Sequence, residues 1–437
     1  MYYLKKLIYK KSIVKLDMGR VGQLKFCFVL LVFVALLFNS FEATVVISLL
    51  TLVFVLSQKK LKVSKRFFSL LVFPILILAI SIVIGVIYNP IEYNFLKDFF
   101  YLAKPVFFII IGYLVTKKID SNIYLYKVVV ACAICFSIIH LFLVSNYLFT
   151  NSDYRISEIR YYGGKDNVFE LFALCFLLAN LKFKKIQIKY QWILIVILFS
   201  SFVLYFSRTM VLVFVFMLIA FLGYIKISTK GVKYIFTAVL LITALYIYLF
   251  SIEIPRDSEN PVDNFLYKLK IAPAEIFVSQ GSIEVEDHAK LWDHWRAFEA
   301  NKAIEQVIDA PAIHWFFGLG AGSLIDLGFY APLSNEKEKG MRYISTLHNG
   351  YAFIFYKAGI LGILLYILFF IYGYSTMKYF RLNTLSSNIV TGIVVFYLIT
   401  SFVISGLYNT NDPMSLLLGG FFSQFEKEHN EGSNSRY

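Results

Sequence analysis

The chain has 437 residues, of which 59% are hydrophobic, 18% aromatic and 16% charged, and its mean hydropathy is +0.69, which excludes an ordinary soluble domain. Lipid is its main solvent. The formal net charge of +14 would suit a nucleic-acid partner, but the basic residues sit in short loops between apolar runs, so membrane topology accounts for them and nucleic acid does not.

A basic N-terminal stretch with Lys5, Lys6, Lys10, Lys11, Lys15 and Arg20 leads into the first apolar run. No small-residue cleavage site follows Phe38, so this run reads as a retained span and not as a signal peptide. Spans are expected near 24–40, 43–57, 67–88, 98–116, 124–149, 167–181, 190–206, 209–225, 234–251, 347–375, 386–407 and 413–425, about twelve helices in an all-α polytopic membrane protein.

Lysine and arginine clusters recur in every second loop: Lys59 to Arg66, Lys117 with Lys118, Lys182 to Lys189, Lys226 to Lys233, and Lys378 with Arg381. The positive-inside rule places those loops and both termini in the cytoplasm, and sends 41–42, 89–97, 150–166, 207–208, 252–346 and 408–412 to the other side. The chain then divides into helices 1–9 over 1–251, one large extracytoplasmic loop over 252–346, helices 10–12 over 347–425 and a disordered cytoplasmic tail over 426–437. Cys27, Cys132, Cys135 and Cys175 all fall within apolar runs, so neither a disulfide framework nor a metal site is expected.

The loop over 252–346 shifts to Glu, Asp, Pro and Trp. Within it, Leu291, Trp292, Trp295, Phe298, Ala303, Ile304 and Ile308 recur near a helical period, which predicts an amphipathic helix that lies on the membrane surface or caps a cavity. Trp292, Trp295 and Trp315 suit interfacial anchoring or stacking on sugar rings.

Ionisable residues at the edge of a span are costly and point to function. Arg155, Arg160 and Lys165 precede the sixth span, Arg208 opens the eighth, Arg342 precedes the tenth, and Lys104 lies a turn or two inside the fourth. All are expected on the outer side. Guanidinium groups gathered at headgroup depth suit a lipid diphosphate, which they can bind through paired donors and stabilise as a leaving group. Taken singly, each also reads as a side chain snorkelling to lipid headgroups. His348 opens the tenth span in Thr346-Leu347-His348-Asn349-Gly350-Tyr351, where an imidazole can take a proton from an attacking hydroxyl or simply cap the helix.

His348-Asn349 followed by Gly359 and Gly362, Ser207-Arg208-Thr209 with Leu212, Phe317 to Gly322 with its three glycines, and Arg160-Tyr161-Tyr162-Gly163 through Asn167 occur in that relation around one long outer loop. In this set the chain resembles the O-antigen ligase and polymerase superfamily of bacterial membrane glycosyltransferases. Two positions depart from the pattern: Lys357 stands where relatives often carry an acidic residue, and His288 where an arginine would precede Trp292.

The resemblance implies a GT-C-like helical enzyme of the bacterial inner membrane with its active face in the periplasm. Such an enzyme takes an undecaprenyl-pyrophosphate-linked oligosaccharide and moves the glycan onto an acceptor hydroxyl, with a polysaccharide chain-length regulator as a further partner. It implies donor-diphosphate contacts from Arg160 and Arg208, with Arg342 and Lys104 added on position, a base or acceptor-orienting role for His348, and support from Asn349, Asn167 and Gly359. No cofactor or metal is expected, since the chain lacks the Asp-x-Asp pair with which a metal-dependent nucleotide-sugar enzyme grips its ion. The reading favours a repeat-unit polymerase; the alternatives are an O-antigen ligase acting on a lipid A core and a flippase for lipid-linked oligosaccharides, against which the single long loop speaks.

Overall fold

The computed structural model describes residues 19, 21–36, 41–57, 63–119, 121, 123–151, 159, 167–225, 229–256, 260–273, 275, 288–332, 340–379, 384–409 and 412–434. Helix forms in each of the twelve apolar stretches. In chain order these are α1 (Val21–Leu36), α2 (Phe41–Leu56), α3 (Lys65–Tyr88), α4 (Tyr93–Ile119), α5 (Tyr124–Thr150) and α6 (Val168–Phe183). They continue with α7 (Gln191–Leu204), α8 (Arg208–Phe221) and α9 (Thr229–Ser251). The long segment after α9 contributes α10 (Pro261–Ile271), α11 (His288–Asp293), α12 (Trp295–Asp309) and α13 (Ala312–Phe317); α14 (Gly350–Tyr379), α15 (Leu385–Thr400) and α16 (Met414–Asn434) complete the bundle. Among the described residues, α3, α4, α5 and α14 are long and apolar enough to cross a membrane. The chain is an all-α membrane protein, with one exception inside its loop.

That exception is a hairpin of β1 (Ile325–Ala331) and β2 (Met341–Ile344), antiparallel, with Ile325 opposite Ile344 and Asp326 opposite Tyr343. The helical reading of the sequence did not include it. Its strands are short, and it buries the apolar side chains of Ile325, Leu327, Ala331 and Ile344 against the rest of the core.

Lipid offers apolar helices no hydrophobic reason to associate, so close backbone approach has to hold the bundle. The α4–α16 pair does this with glycine: a methyl group on Gly112 would fall 1.9 Å from the carbonyl oxygen of Leu416, and one on Gly419 would fall 2.0 Å from that of Ile109. In consequence α16 lies in the core, with Met414, Leu416, Leu417, Leu418, Phe421, Phe422 and Phe425 fully buried.

The polar stretch expected as a disordered tail is a continuation of α16 as far as Asn434. Its carboxylates have partners. Glu426 accepts from the hydroxyls of Ser64 and Tyr113 (2.7 Å for the latter), and Glu428 pairs with Lys185 at 2.7 Å and accepts from Ser386 at 3.1 Å. Lys117 donates to Tyr113 at 2.9 Å, and Lys182 to the carbonyl of Leu222 at 2.8 Å. The lysine-bearing ends of α4 and α6 thus meet the start of α3, the start of α15 and the end of α16 at one end of the bundle. The long loop, the α7–α8 turn and the start of α14 occupy the other.

Expected as one continuous span, α14 is broken. Gly359 adopts φ +64° and ψ −162° and divides it into two segments, a backbone conformation that side chains beyond glycine rarely tolerate.

Candidate active site

The glycine-rich turn after α13 seats the loop on the bundle. A methyl group on Gly318 (φ +74°) would meet the Ala358 nitrogen at 2.4 Å, one on Gly359 would meet the Phe316 carbonyl carbon at 2.4 Å, and one on Gly320 (φ +79°) would meet the Gly85 nitrogen at 2.3 Å. The turn therefore lies backbone to backbone between α3 and the break in α14. Hydrogen bonds fasten it: Ala321 N–H to the Ser81 carbonyl at 2.8 Å, Leu319 N–H to the Tyr356 carbonyl at 2.7 Å, and the Asn89 amide to the carbonyls of Leu319 and Ala321 at 2.8 and 3.0 Å. Gly359 is the residue of α14 that admits this turn.

With the turn fixed, α12 packs beside the start of α14 and carries the residues that organise the site. Glu299 is buried. Its Oε1 accepts from the Trp295 indole at 2.5 Å; its Oε2 accepts from Nδ1 of His348 at 2.8 Å and from the His348 backbone N–H at 3.3 Å. Trp295 is thus neither a membrane anchor nor an open stacking platform: its ring is buried and its N–H is spent on Glu299. Because the carboxylate accepts at Nδ1, the imidazole holds its hydrogen there and offers Nε2 as the acceptor. The His348 side chain is 53% exposed.

The histidine loop is itself held. The His348 carbonyl accepts from Ser405 N–H at 2.6 Å, the Ser405 hydroxyl donates to the Leu347 carbonyl, and Gly350 N–H donates to the Ser401 carbonyl at 2.7 Å. Asn349 caps α14, its Oδ1 accepting from Ala352 N–H at 3.0 Å.

One residue after Trp295, Arg296 donates to Glu275 at 2.8 Å, and the other oxygen of Glu275 accepts from Arg208 at 2.9 Å. Arg208, first residue of α8, also donates to the Lys268 carbonyl of α10. Two guanidinium groups from different parts of the chain therefore converge on one carboxylate. Partial burial holds Arg296 below its ordinary range, an effect that the charge of Glu275 opposes. Since Arg296 and Glu299 stand three apart on α12, this one helix connects the arginine pair to His348.

The other basic residues marked in the sequence are engaged elsewhere. Lys104 is buried and donates to the carbonyls of Asn409 at 3.1 Å and Asp412 at 3.3 Å, tying α4 to the turn that follows α15. Arg342 makes a two-pronged pair with Asp326 inside the hairpin, at 2.7 and 2.8 Å. Asn167 is the residue before α6, and its carbonyl accepts from Leu171 N–H at 3.1 Å. Arg160, with Arg155 and Lys165, lies outside the described residues.

Glu275, Arg296 and Glu299 were not singled out in the sequence, where charges on an extramembrane loop look like any solvated face. The one available signal was Trp295-Arg296 with Glu299 a turn later, on the helix that the apolar period had already marked.

The fold and this arrangement define a class: a multi-pass helical membrane protein in which the long segment between two apolar helices braces an exposed histidine and a pair of arginines. Residues 193–367 match the O-antigen ligase family model, which bears out the resemblance to the O-antigen ligase and polymerase superfamily, whose members are glycosyltransferase-like enzymes. The matched stretch contains Arg208, Glu275, Arg296, Glu299, His348 and Gly359. No curated protein matches the chain.

Proposed function

We propose that the chain is a glycosyltransferase that moves a glycan from a polyprenyl-pyrophosphate carrier onto an acceptor hydroxyl at the periplasmic face of the inner membrane. The observation that carries this reading is the convergence of Arg208 and Arg296 on the Glu275 carboxylate, with α12 bearing both Arg296 and the glutamate that orients His348. A carboxylate gripped by two guanidinium groups marks a seat for an anion, and a diphosphate oxygen fits the same fork.

In the reaction, Nε2 of His348 takes the proton of the acceptor hydroxyl. The freed oxygen attacks the anomeric carbon, the bond from that carbon to the diphosphate oxygen breaks, and the negative charge passes to the lipid diphosphate under Arg208 and Arg296. The products are a new glycosidic bond and the lipid diphosphate. Arg160 is a third donor candidate; Lys104 and Arg342 are assigned to holding the turn after α15 and the hairpin. The lysine-bearing end of the bundle supports a cytoplasmic position for that face and a periplasmic one for the site.

Arg208→Ala, Arg296→Ala and His348→Ala are each expected to abolish long surface glycans while the protein remains inserted and abundant. Normal chain-length ladders from a variant would remove its residue from the site. Polymerase is the reading that the sequence favours, and ligase the one that the description of the matched family carries. Deleting the gene separates them: a single repeat unit on the lipid core means polymerase, and a bare core with lipid-linked polymer accumulating means ligase.

A further inference from the structure

Directly behind Arg208, among α5, α6 and α7, lies a polar cluster that the proposed chemistry does not use. Glu170, on the first turn of α6, is fully buried. Its Oε2 accepts from Ser137 of α5 at 2.7 Å and from Ser201 of α7, and its Oε1 accepts from the Tyr205 hydroxyl at 2.9 Å. Because the Ser201 hydrogen goes to Glu170, its oxygen is left to accept from Nδ1 of His140 at 2.8 Å, and the His140 ring stacks on Tyr205 with centroids 3.8 Å apart. A side chain that accepts from three hydroxyls on its neighbours fixes where those neighbours stand, and an ionisable group buried at this depth marks the position as one to explain.

The reason lies in where Tyr205 sits. It ends α7, and three residues later Arg208 begins α8. Between them Phe206 takes φ +46° and Ser207 an extended conformation without a side-chain cap. A bulky residue at positive φ is strained and persists only where its surroundings fix it. Those surroundings are the Tyr205 hydroxyl on Glu170, the His140 ring against Tyr205, and Phe206 against Phe265 of α10, with ring centroids 6.5 Å apart. A tyrosine held at both its hydroxyl and its ring face leaves the elbow no freedom, and the elbow aims Arg208 at Glu275.

We infer that Glu170 is a positioning residue for the donor site, acting through Tyr205 to hold the α7–α8 elbow that presents Arg208. The inference rests on the donor-diphosphate reading above. It assigns to the acid a geometric task, so an amide that still accepts from Tyr205 must do nearly as well.

The test is binding of farnesyl diphosphate, a short lipid diphosphate, to the purified full-length protein in nanodiscs, with thermal unfolding recorded in parallel. Tyr205→Phe, which removes one oxygen and leaves the packing, is expected to weaken binding about tenfold, the worth of one hydrogen bond to a charged group. Glu170→Leu should weaken it at least as much, and Glu170→Gln should restore it to within about threefold of the unaltered protein, that is, within half of the energy of one such bond. In an Arg208→Ala background, Tyr205→Phe should cause no further loss, because a clamp that acts through Arg208 has nothing left to aim.

Unchanged binding by Tyr205→Phe, a Glu170→Gln variant as weak as Glu170→Leu, or additive losses with Arg208→Ala would each overturn the inference. If Arg208→Ala itself binds like the unaltered protein, the donor-site reading fails. If Arg208→Ala loses binding and Tyr205→Phe does not, only the positioning role fails.

Discussion

Lys357 and Asp98 meet with 2.6 Å between ammonium and carboxylate, and neither side chain is exposed at all. The lysine, two residues before the break in α14, also donates to the Ser323 carbonyl at 2.6 Å, and the aspartate accepts from Gly322 N–H at 2.8 Å. The pair therefore binds α4, α14 and the glycine turn at one point. Asp98 supplies the opposite charge that a fully buried Lys357 needs.

Removing one member strands the other charge in an apolar setting. Lys357→Met is expected to cost about 3–5 kcal/mol, whereas Lys357→Met combined with Asp98→Leu should recover most of that loss. Thermal unfolding of the detergent-purified variants reads the difference; equal destabilisation of the single and double variants would show that the two charges are not coupled.

Gly318→Ala should fail for a second, separable reason. The position combines φ +74° with backbone atoms 2.4 Å from where the new methyl group would sit, so both strain and collision apply. Gly328 in the hairpin has φ +82° and nothing within 4 Å, so Gly328→Ala carries the strain alone, about 1–2 kcal/mol. Protein abundance in membranes should fall sharply for Gly318→Ala and little for Gly328→Ala. Comparable levels would mean that the turn can lift off the bundle.

The parts of the fold legible in the sequence are those written in one dimension. Run length and the alternation of lysine-rich loops located the helices, and a residue at the edge of a run, such as Arg208 or His348, declared itself by position. Contacts between distant segments left no such mark. Glu170 stands alone in the apolar stretch from Val168 to Leu181, and Lys357 in that from Tyr351 to Tyr372; both were findable by the cost of burying a charge, but the sequence reading had gathered only basic residues on the outer side. Glu426 and Glu428 looked like tail because polarity alone does not reveal the Tyr113, Ser386 and Lys185 side chains that receive them.

Arg342→Ala should leave the donor site intact. The Arg342 guanidinium and the Gly328 N–H hold the Asp326 carboxyl down at about 2. A depressed carboxyl contributes its stability in full above the ordinary aspartate value of about 3.9 and loses it as pH falls through about 2. Between pH 5 and 8 the pair is therefore constant and gives the reaction no pH dependence. Activity profiles of Arg342→Ala and the unaltered protein should run parallel over that range with similar donor KM. A KM raised as far as that of Arg208→Ala would return Arg342 to the donor site.

Glu299→Gln is the sharpest probe of the proposed base. The carboxylate is an acceptor from three donors, the Trp295 indole, the His348 backbone N–H and Nδ1 of His348. An amide in its place must turn an NH2 group toward one side or the other. If it faces Nδ1, the imidazole hydrogen moves to Nε2, and the atom that should take the acceptor's proton already carries one. If it faces Trp295, two donors meet and the helix end loosens. Either way kcat is expected to fall about 10²-fold or more, in the range by which a positioned base contributes, while farnesyl diphosphate binding stays near that of the unaltered protein because the substitution leaves the guanidinium groups of Arg208 and Arg296 in place. A variant that loses donor binding together with turnover would place Glu299 in the anion site instead and leave His348 without its orienting partner in the mechanism.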